Sequence, residues 1–302
     1  MAASPYQAPV REVRLFDVID DSFRLYRRDF KTLLLVAAAV TLPTTVADLL
    51  VLSRLRPLPG SLGGLARGAL SQAQVHGLVH WELSNSVIWV GVLLLAGIAL
   101  ILQWAALVRV AAERSRGATL GVRAAFAGAR HDWLPLLGLG VLLFAGLLAG
   151  IAAVTVLAIL FALLGAAGAL LIALLILGAL VLAMVVGVRM VLAGTALVIE
   201  GAYPWRALTR SWDLTRGSAW RVFGIVLVLY FATAIPGLLV GLVLAGTTGA
   251  GLNVFRRSLG ADSVVSAALA VLTAPILPVG LVAAYFDARR RSTQADDPSS
   301  AS

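Results

Sequence analysis

Long apolar segments alternate with short polar ones along this chain. Five apolar runs cover residues 32–52, 87–108, 133–188, 222–245 and 264–286. Four of them have the roughly 20 residues that a helix needs to cross a bilayer. The third has 56 residues without a formal charge, and as one helix it would be about 84 Å long, more than twice the ~30 Å hydrocarbon thickness. We therefore predict that it folds back at LLGAAGAL, residues 163–170, and that the chain spans the membrane six times.

The continuous apolar runs also predict the fold class. Only helices and closed β-barrels satisfy backbone polar groups in lipid, and barrel strands alternate apolar with polar residues. The predicted fold is therefore an all-α polytopic integral membrane protein. Only 13% of its residues are charged, about half the share usual in soluble proteins. Residues 1–31 do not resemble a signal peptide, so we expect the first apolar run to be a retained span.

Basic residues concentrate in alternate polar segments. Residues 1–31, 109–132, 200–221 and 287–302 together hold 18 Arg and Lys, whereas 53–86, 163–170 and 246–262 hold 5. The positive-inside rule then predicts that both termini lie in the cytoplasm, and the even number of spans agrees. The net charge of +9 is explained by this topology, and we expect no nucleic-acid partner.

A short phrase precedes three of the spans: SFRLYRRDF (22–30), AFAGARHDW (125–133) and SWDLTRGSAW (211–220). Each copy has an aromatic residue, an Arg four positions later and a closing aromatic residue. The helical period separates the aromatic residues from arginine, which predicts amphipathic helices lying in the interface against anionic inner-leaflet headgroups. The candidate interface residues are Phe23, Arg27, Arg28, Phe30, Phe126, Arg130, Trp133, Trp212, Arg216 and Trp220.

Three acidic residues support a repeat of this arrangement. Glu113, Glu200 and Asp287 each close an apolar run and are spaced 87 residues apart. We predict three units of interfacial helix plus transmembrane hairpin, about 14–113, 114–200 and 201–287, within one domain of residues 14–290. Residues 1–13 and 291–302 are predicted to be a flexible and a disordered tail. The alternative is that membrane-interface chemistry alone produces these phrases in any six-span protein.

Three stretches carry a resemblance to a known family. They are VIDDSFRLYRRDFKTLLLVAAAVTLP at the start, LVIEGAYPWRALTRSWDLTRGSAWRVFGIVL before the fifth span and AAYFDARRR at the end. Together they resemble the bacterial glycerophosphoryl diester phosphodiesterase membrane domain and its uncharacterised relatives. The resemblance implies a polytopic membrane domain, which in some members is fused to a phosphodiesterase barrel. Such a barrel takes about 250 residues, and only 16 follow Phe286, so we do not carry the enzymatic activity over.

Few residues suggest catalytic chemistry. His76 and His80 are four positions apart near Glu82, a weak zinc-like spacing that an external helix lying on the membrane explains as well. His131 is expected to be a solvated interfacial residue. The intramembrane polar candidates are Asp48, Gln103 and Arg189, since polar groups at membrane depth are functional candidates by default. Arg189 lies either inside the fourth span, on the same helical face as Glu200, or at the interface end of that span. We predict no metal and no cofactor.

The sequence therefore favours a non-catalytic protein of the cell membrane that acts in envelope or membrane-lipid homeostasis through partner assembly or regulation. Its expected partners are membrane lipids with anionic inner-leaflet headgroups. The alternative is a transporter or channel for a lipid-like or small apolar molecule. A membrane-embedded enzyme has the least support, because no motif of catalytic spacing occurs.

Overall fold

The computed structural model describes residues 15–54, 72–247 and 261–295, and over these ranges the chain forms ten α-helices and no strand. The helices are α1 (Leu15–Arg28), α2 (Phe30–Arg54), α3 (Gln72–Ser115), α4 (Val122–Ala162), α5 (Ala166–Met190), α6 (Ala193–Glu200), α7 (Pro204–Thr215), α8 (Ala219–Thr247), α9 (Ala261–Thr273) and α10 (Ile276–Ala295). The predicted tail 1–13 and residues 296–302 of the predicted tail 291–302 lie outside the described residues. Helix α10 runs to Ala295, past the predicted boundary at residue 290.

Six segments are long and apolar enough to cross a membrane, which confirms the predicted all-α polytopic membrane fold. They cover 30–50, 90–115, 122–162, 167–200, 219–243 and 264–293. Two of these spans are interrupted. The fourth breaks between α5 and α6, and the sixth breaks between α9 and α10 at Ala274 and Pro275, where proline removes a backbone donor. Pro43 and Pro236, in contrast, lie inside the continuous helices α2 and α8.

The long apolar run folds back where predicted. Helix α4 ends at Ala162, and a turn at residues 163–165 leads into α5. Gly165 has φ +63°, a left-handed conformation that glycine adopts without a steric cost. Gly168 lies against the backbone of Phe161, and a Cβ added there would come within 1.8 Å of the Phe161 carbonyl oxygen. These two glycines explain the position of the hairpin.

The spans pack in chain order around a ring. Helix α2 contacts α3, α3 contacts α4, α4 contacts α5, α5 contacts α8, and α8 contacts α9 and α10, while α9 returns to α2. Helix α10 also contacts α1, α3, α6 and α7, so the second half of the last span lies inside the ring. This central position explains why the sixth span, residues 264–293, is the most buried of the six.

The packed core lies at one end of the bundle. We call it the charged end, because Asp29, Asp132, Glu200 and Asp287 lie there and form the ion pairs described below. The buried apolar residues belong to the parts of the spans next to this end, such as Leu33 and Val36 of α2, Ala105 to Ala112 of α3 and Val279 to Ala288 of α10. Away from this end, over residues 140–162 of α4 and 167–187 of α5, Gly168 alone is buried. We call these two stretches the apolar arms.

The three phrases do not form three equal structures. The first is α1, which ends one residue before α2. The third is α7, which is followed by a turn at residues 216–218 with Gly217 at φ +79°. The second differs from expectation: it forms the first turns of α4 and continues without a break into the third span. No residue between 122 and 133 has a left-handed conformation, and the first proline of α4 is Pro135.

Candidate functional site

Three ion pairs at the charged end each join the start of one span to the end of another. Arg109 pairs with Asp132, Arg114 with Asp29, and Arg221 with Asp287. The carboxylates are nearly buried, with 9 to 11% of each side chain exposed, and the arginines are 17 to 32% exposed. Each is a two-pronged contact in which Nε and Nη2 of the guanidinium donate to both carboxylate oxygens. Such pairs fix the relative orientation of the helices that carry them.

The Arg109–Asp132 pair depends on a glycine. Arg109 Nε lies 2.6 Å and Nη2 2.9 Å from the two oxygens of Asp132. Gly128, one turn before Asp132, leaves the space in which the arginine side chain crosses α4. A Cβ at Gly128 would lie 2.9 Å from Nη1 and 3.0 Å from Cδ of Arg109. The sequence GARHD therefore supplies both the acceptor, Asp132, and the space at Gly128 through which the Arg109 side chain reaches it.

These pairs were not predicted from the sequence, although a signal for them exists. In the first two phrases an Asp stands directly before the closing aromatic residue, at Asp29 and Asp132. In the third phrase a basic residue, Arg221, directly follows Trp220. The charge at each helix-to-span junction is therefore matched by an opposite charge at the end of a neighbouring span, with the signs exchanged in the third copy.

The three acids spaced 87 residues apart have different partners. Glu113 pairs with Arg116, three residues away. Glu200 accepts hydrogen bonds from Arg210 of α7 and from the hydroxyl of Tyr285 of α10. Asp287 binds both Arg221 and Arg291. The second and third acids thus connect separate elements, whereas the first pairs locally.

The candidate interface residues lie around the outside of the charged end. Arg27, Arg28, Arg130, Arg216 and Trp220 are exposed. Phe23, Phe30 and Trp212 are between 37 and 39% exposed, and Phe126 and Trp133 are partly buried.

The face that each amphipathic stretch packs against the bundle consists mostly of aliphatic and small polar residues. Helix α1 buries Val18 and Ser22, and α7 buries Ala207, Leu208 and Ser211 among others. In helix α4, Ala125, Ala129 and Asp132 are buried. The aromatic residues therefore lie at the edges of these helices.

Tyr26 of α1 reaches the break in the sixth span. Its hydroxyl donates a hydrogen bond of 2.8 Å to the carbonyl oxygen of Leu272, at the end of α9. Burial raises the pKa of Tyr26 above its ordinary value, so the phenol stays a donor at physiological pH. The carbonyl that the interrupted helix leaves without a regular partner is satisfied in this way.

The three intramembrane polar candidates have separate surroundings. Asp48 is exposed on the outer part of α2. Gln103 is buried, and its Nε2 lies 3.4 Å from the Ala37 carbonyl oxygen and 3.3 Å from Thr41 Oγ1, so it connects α3 to α2. Arg189 is partly buried at the end of α5, and its guanidinium stacks on the ring of Trp212. Arg189 does not pair with Glu200.

An open cleft of about 280 Å³ lies between α1, α10 and the end of α3. Its polar lining consists of Asp21, Arg24, Arg28, Ser115, Asp287 and Arg290. A hydrogen bond to Asp20 raises the pKa of the Arg24 guanidinium further above its ordinary value. A second open cleft borders the turn between α6 and α7 at Glu200, Gly201, Arg206 and Arg210, among others. Both clefts open to the surface, and arginine predominates over acid in the first.

The possible zinc site cannot be placed, because the side chains of His76, His80 and Glu82 lie outside the described residues, although their backbone belongs to α3. His131 is exposed on α4. Among the side chains that the structure describes, no group of three His, Asp or Glu residues is arranged to hold a metal ion.

Comparison with protein-family models, curated proteins and solved structures found no match to this chain.

Proposed function

We propose that this protein is a non-catalytic component of the bacterial cell membrane, where it organises anionic lipids and partner proteins in membrane-lipid homeostasis. In this proposal both termini and the charged end face the cytoplasm, as the 18-to-5 distribution of Arg and Lys favours. The resemblance to the glycerophosphoryl diester phosphodiesterase membrane domain supports the same assignment.

One observation carries the proposal: three acids of the charged end are held in nearly buried ion pairs, whereas most of its described arginines are exposed. Asp29, Asp132 and Asp287 are held in nearly buried ion pairs. Apart from Arg24, which pairs with Asp20, the exposed arginines of the same end among the described residues are Arg27, Arg28, Arg116, Arg123, Arg130, Arg206, Arg216, Arg289 and Arg290. A cation near an anionic leaflet contributes on the order of 1 kcal/mol of attraction.

Exposed aromatic residues accompany these cations. Tyr203, Trp205 and Trp220 are 68 to 78% exposed, and they surround the same end of the bundle. Trp and Tyr prefer the headgroup level, where a ring contacts both apolar and polar groups. A charged end bordered by arginine and aromatic residues is suited to the interface of an anionic leaflet.

Acids that are already bound to arginine are not free to act as a general acid or base.

A second function is favoured by a different observation. The helices are packed and tied by ion pairs at the charged end, while the apolar arms are exposed. A ring that is closed at one end and apolar at the other could hold a lipid-like molecule, as a transporter does. A transporter would have to open the charged end, and so break the Arg109–Asp132 and Arg221–Asp287 pairs.

Reconstituted protein distinguishes these functions. We expect vesicles that contain the protein to scramble a fluorescent phospholipid no faster than protein-free vesicles, and to leave glycerophosphocholine intact. Scrambling above the protein-free rate would favour the transporter, and release of choline would favour an enzyme.

Topology is tested separately, because the chain has no cysteine of its own. In intact cells an impermeant thiol reagent should label Leu164→Cys, in the α4–α5 turn, but not Ser292→Cys, near the end of α10. The reverse labelling would place the charged end outside the cell and remove the basis of the proposal.

A further inference from the structure

Arg189 is a partly buried cation at the end of α5. It lies within the apolar segment 167–200, eleven positions before Glu200. Among the described residues no carboxylate forms an ion pair with it. Its Nε is buried and has no hydrogen-bond partner there either. A guanidinium with a buried, unpartnered donor requires an anionic or polar partner, because an unpaired polar group in an apolar environment is costly.

The position of Arg189 is fixed by α7. Ser211 Oγ donates a hydrogen bond of 2.6 Å to the Arg189 carbonyl oxygen, which joins the end of α5 to α7. The next residue of α7, Trp212, places its ring under the guanidinium, with the Arg189 Cζ 4.4 Å from the ring centroid. A guanidinium held over an aromatic ring is restricted in its orientation. The arginine is therefore preorganised to bind a partner.

An apolar surface leads to this cation. Leu182, Val185 and Val186 precede Arg189 by seven, four and three positions, so they share its face of α5 by the helical period. They are 64, 42 and 37% exposed, respectively. Trp212 is 38% exposed beside the arginine. A ligand that meets both parts needs an anionic group and a hydrocarbon chain of several carbon atoms.

We propose that Arg189 and Trp212 form a phospholipid-binding site on the outer face of α5. The guanidinium binds the phosphodiester of the headgroup, since its planar donors match phosphate oxygens. One acyl chain lies along Leu182, Val185 and Val186. This site rests on the proposed function, because it adds one defined contact to the general attraction of the charged end for anionic lipid. A free phosphate shares the anionic chemistry but gains nothing from the apolar surface.

The test uses the full-length protein in mild detergent, titrated with phosphatidylglycerol and followed by native mass spectrometry. We expect Arg189→Gln to weaken the first lipid-binding event by about tenfold or more, the usual scale for a lost charged hydrogen-bond contact. Arg189→Lys should recover part of the affinity, because it keeps the charge and loses the planar donors. The matched control is Arg24→Gln, which removes an exposed arginine of α1 that already pairs with Asp20 and should change the affinity less than twofold.

Two further arms identify the ligand. Inorganic phosphate at millimolar concentration should not compete with phosphatidylglycerol, and diacylglycerol, which lacks the phosphate, should bind wild type and Arg189→Gln equally. A phosphatidylglycerol with a photoreactive group in its acyl chain should label the peptide that contains Leu182 to Val186. Competition by inorganic phosphate at the same affinity would show a free-anion site and overturn the lipid assignment.

Equal affinity of Arg189→Gln and wild type would overturn the site itself. If Arg189→Gln does not fold, Trp212→Leu provides the second variant, and unchanged binding and labelling by this variant would also contradict the site. The proposed function fails differently: scrambling or hydrolysis by the wild-type protein would refute it whatever the result at Arg189. Loss of the site with normal enrichment of anionic lipid around the protein would refute the site alone.

Discussion

The Arg109–Asp132 ion pair gives the sharpest test of how the charged end is held together. Replacing Asp132 by Ala leaves the Arg109 guanidinium without its two acceptors, in the passage that Gly128 opens across α4. Arg109→Ala likewise leaves the Asp132 carboxylate without its two donors. Replacing both residues, as in Arg109→Met with Asp132→Leu, removes the charges together and fills the space with apolar atoms.

The burial of the two partners sets the magnitude. Removing one partner of a fully buried pair costs about 3–5 kcal/mol, whereas exposed pairs contribute about 0–1 kcal/mol. Asp132 is 9% exposed and Arg109 is 32% exposed, so this pair lies between the limits. We expect each single replacement to lower the free energy of unfolding by about 2–3 kcal/mol. The double variant should lose clearly less than the sum of the two, because neither charge is then left alone.

The assay is reversible unfolding in mixed detergent micelles, followed by the loss of helical circular dichroism. The control is Asp20→Ala, which removes an ion pair to Arg24 whose side chains are 67 and 73% exposed and should leave the unfolding midpoint unchanged. Two results would refute the reasoning: single replacements at Arg109 and Asp132 that behave like the control, or a double variant that loses the full sum.

Two more replacements test close contacts of the bundle. Gly280→Ala should destabilise the protein by about 1–3 kcal/mol, because its Cβ would lie 2.2 Å from a methyl carbon of the buried Leu229. The control is Gly237→Ala, whose Cβ would meet nothing within 4 Å and which should be neutral in the same unfolding assay. Equal effects of the two replacements would contradict the packing. Tyr26→Phe should cost about 1 kcal/mol through the lost bond to Leu272. Burial raises the pKa of Tyr26 from about 10. The difference in the free energy of unfolding between wild type and Tyr26→Phe should therefore be constant below pH 10 and should disappear as the pH rises through the higher folded-state pKa. Equal free energies of unfolding at pH 7 would contradict the contribution of this hydrogen bond.

The spans and the hairpin could be predicted because their causes are local. An apolar run of sufficient length specifies a span without reference to the rest of the chain. The glycines at 165 and 168 mark the turn within a run that is too long for one crossing. The break at Pro275 follows from the missing donor of proline. The hydrogen bond from Tyr26 to Leu272 beside this break joins residues 246 positions apart, and no local pattern indicates it.

The ion pairs could not be predicted in the same way. Their partners are 23, 85 and 66 residues apart, and the sequence shows the charges but not which helix ends meet. The exchange of sign between the first and third copies, Asp29 with Arg114 and Arg221 with Asp287, also hides the repeat from a comparison of residue types. Only the ring order of the helices brings these positions together.

The amphipathic phrases were harder to interpret than their strong pattern suggested. An aromatic residue at an interface satisfies both lipid and protein surroundings, so its position does not show which face packs inward. The structure buries Val18 and Ser22 of α1, because small side chains let α1 approach α10 closely, and it leaves Phe23 and Phe30 at the edge. The residues of the phrases also do not show where a helix ends, because the first phrase breaks at Asp29 without Gly or Pro, whereas the second contains Gly128 and continues as one helix.

The most direct test of the proposed function is the composition of the lipid that stays with the protein. The wild-type chain is extracted with its surrounding bilayer by an amphipathic copolymer, and the phospholipids are quantified against the membrane from which it came. The proposal predicts a higher ratio of anionic to zwitterionic phospholipid around the protein, and a smaller excess after extraction in high salt, because salt screens the exposed arginines. A ratio equal to that of the bulk membrane would contradict it.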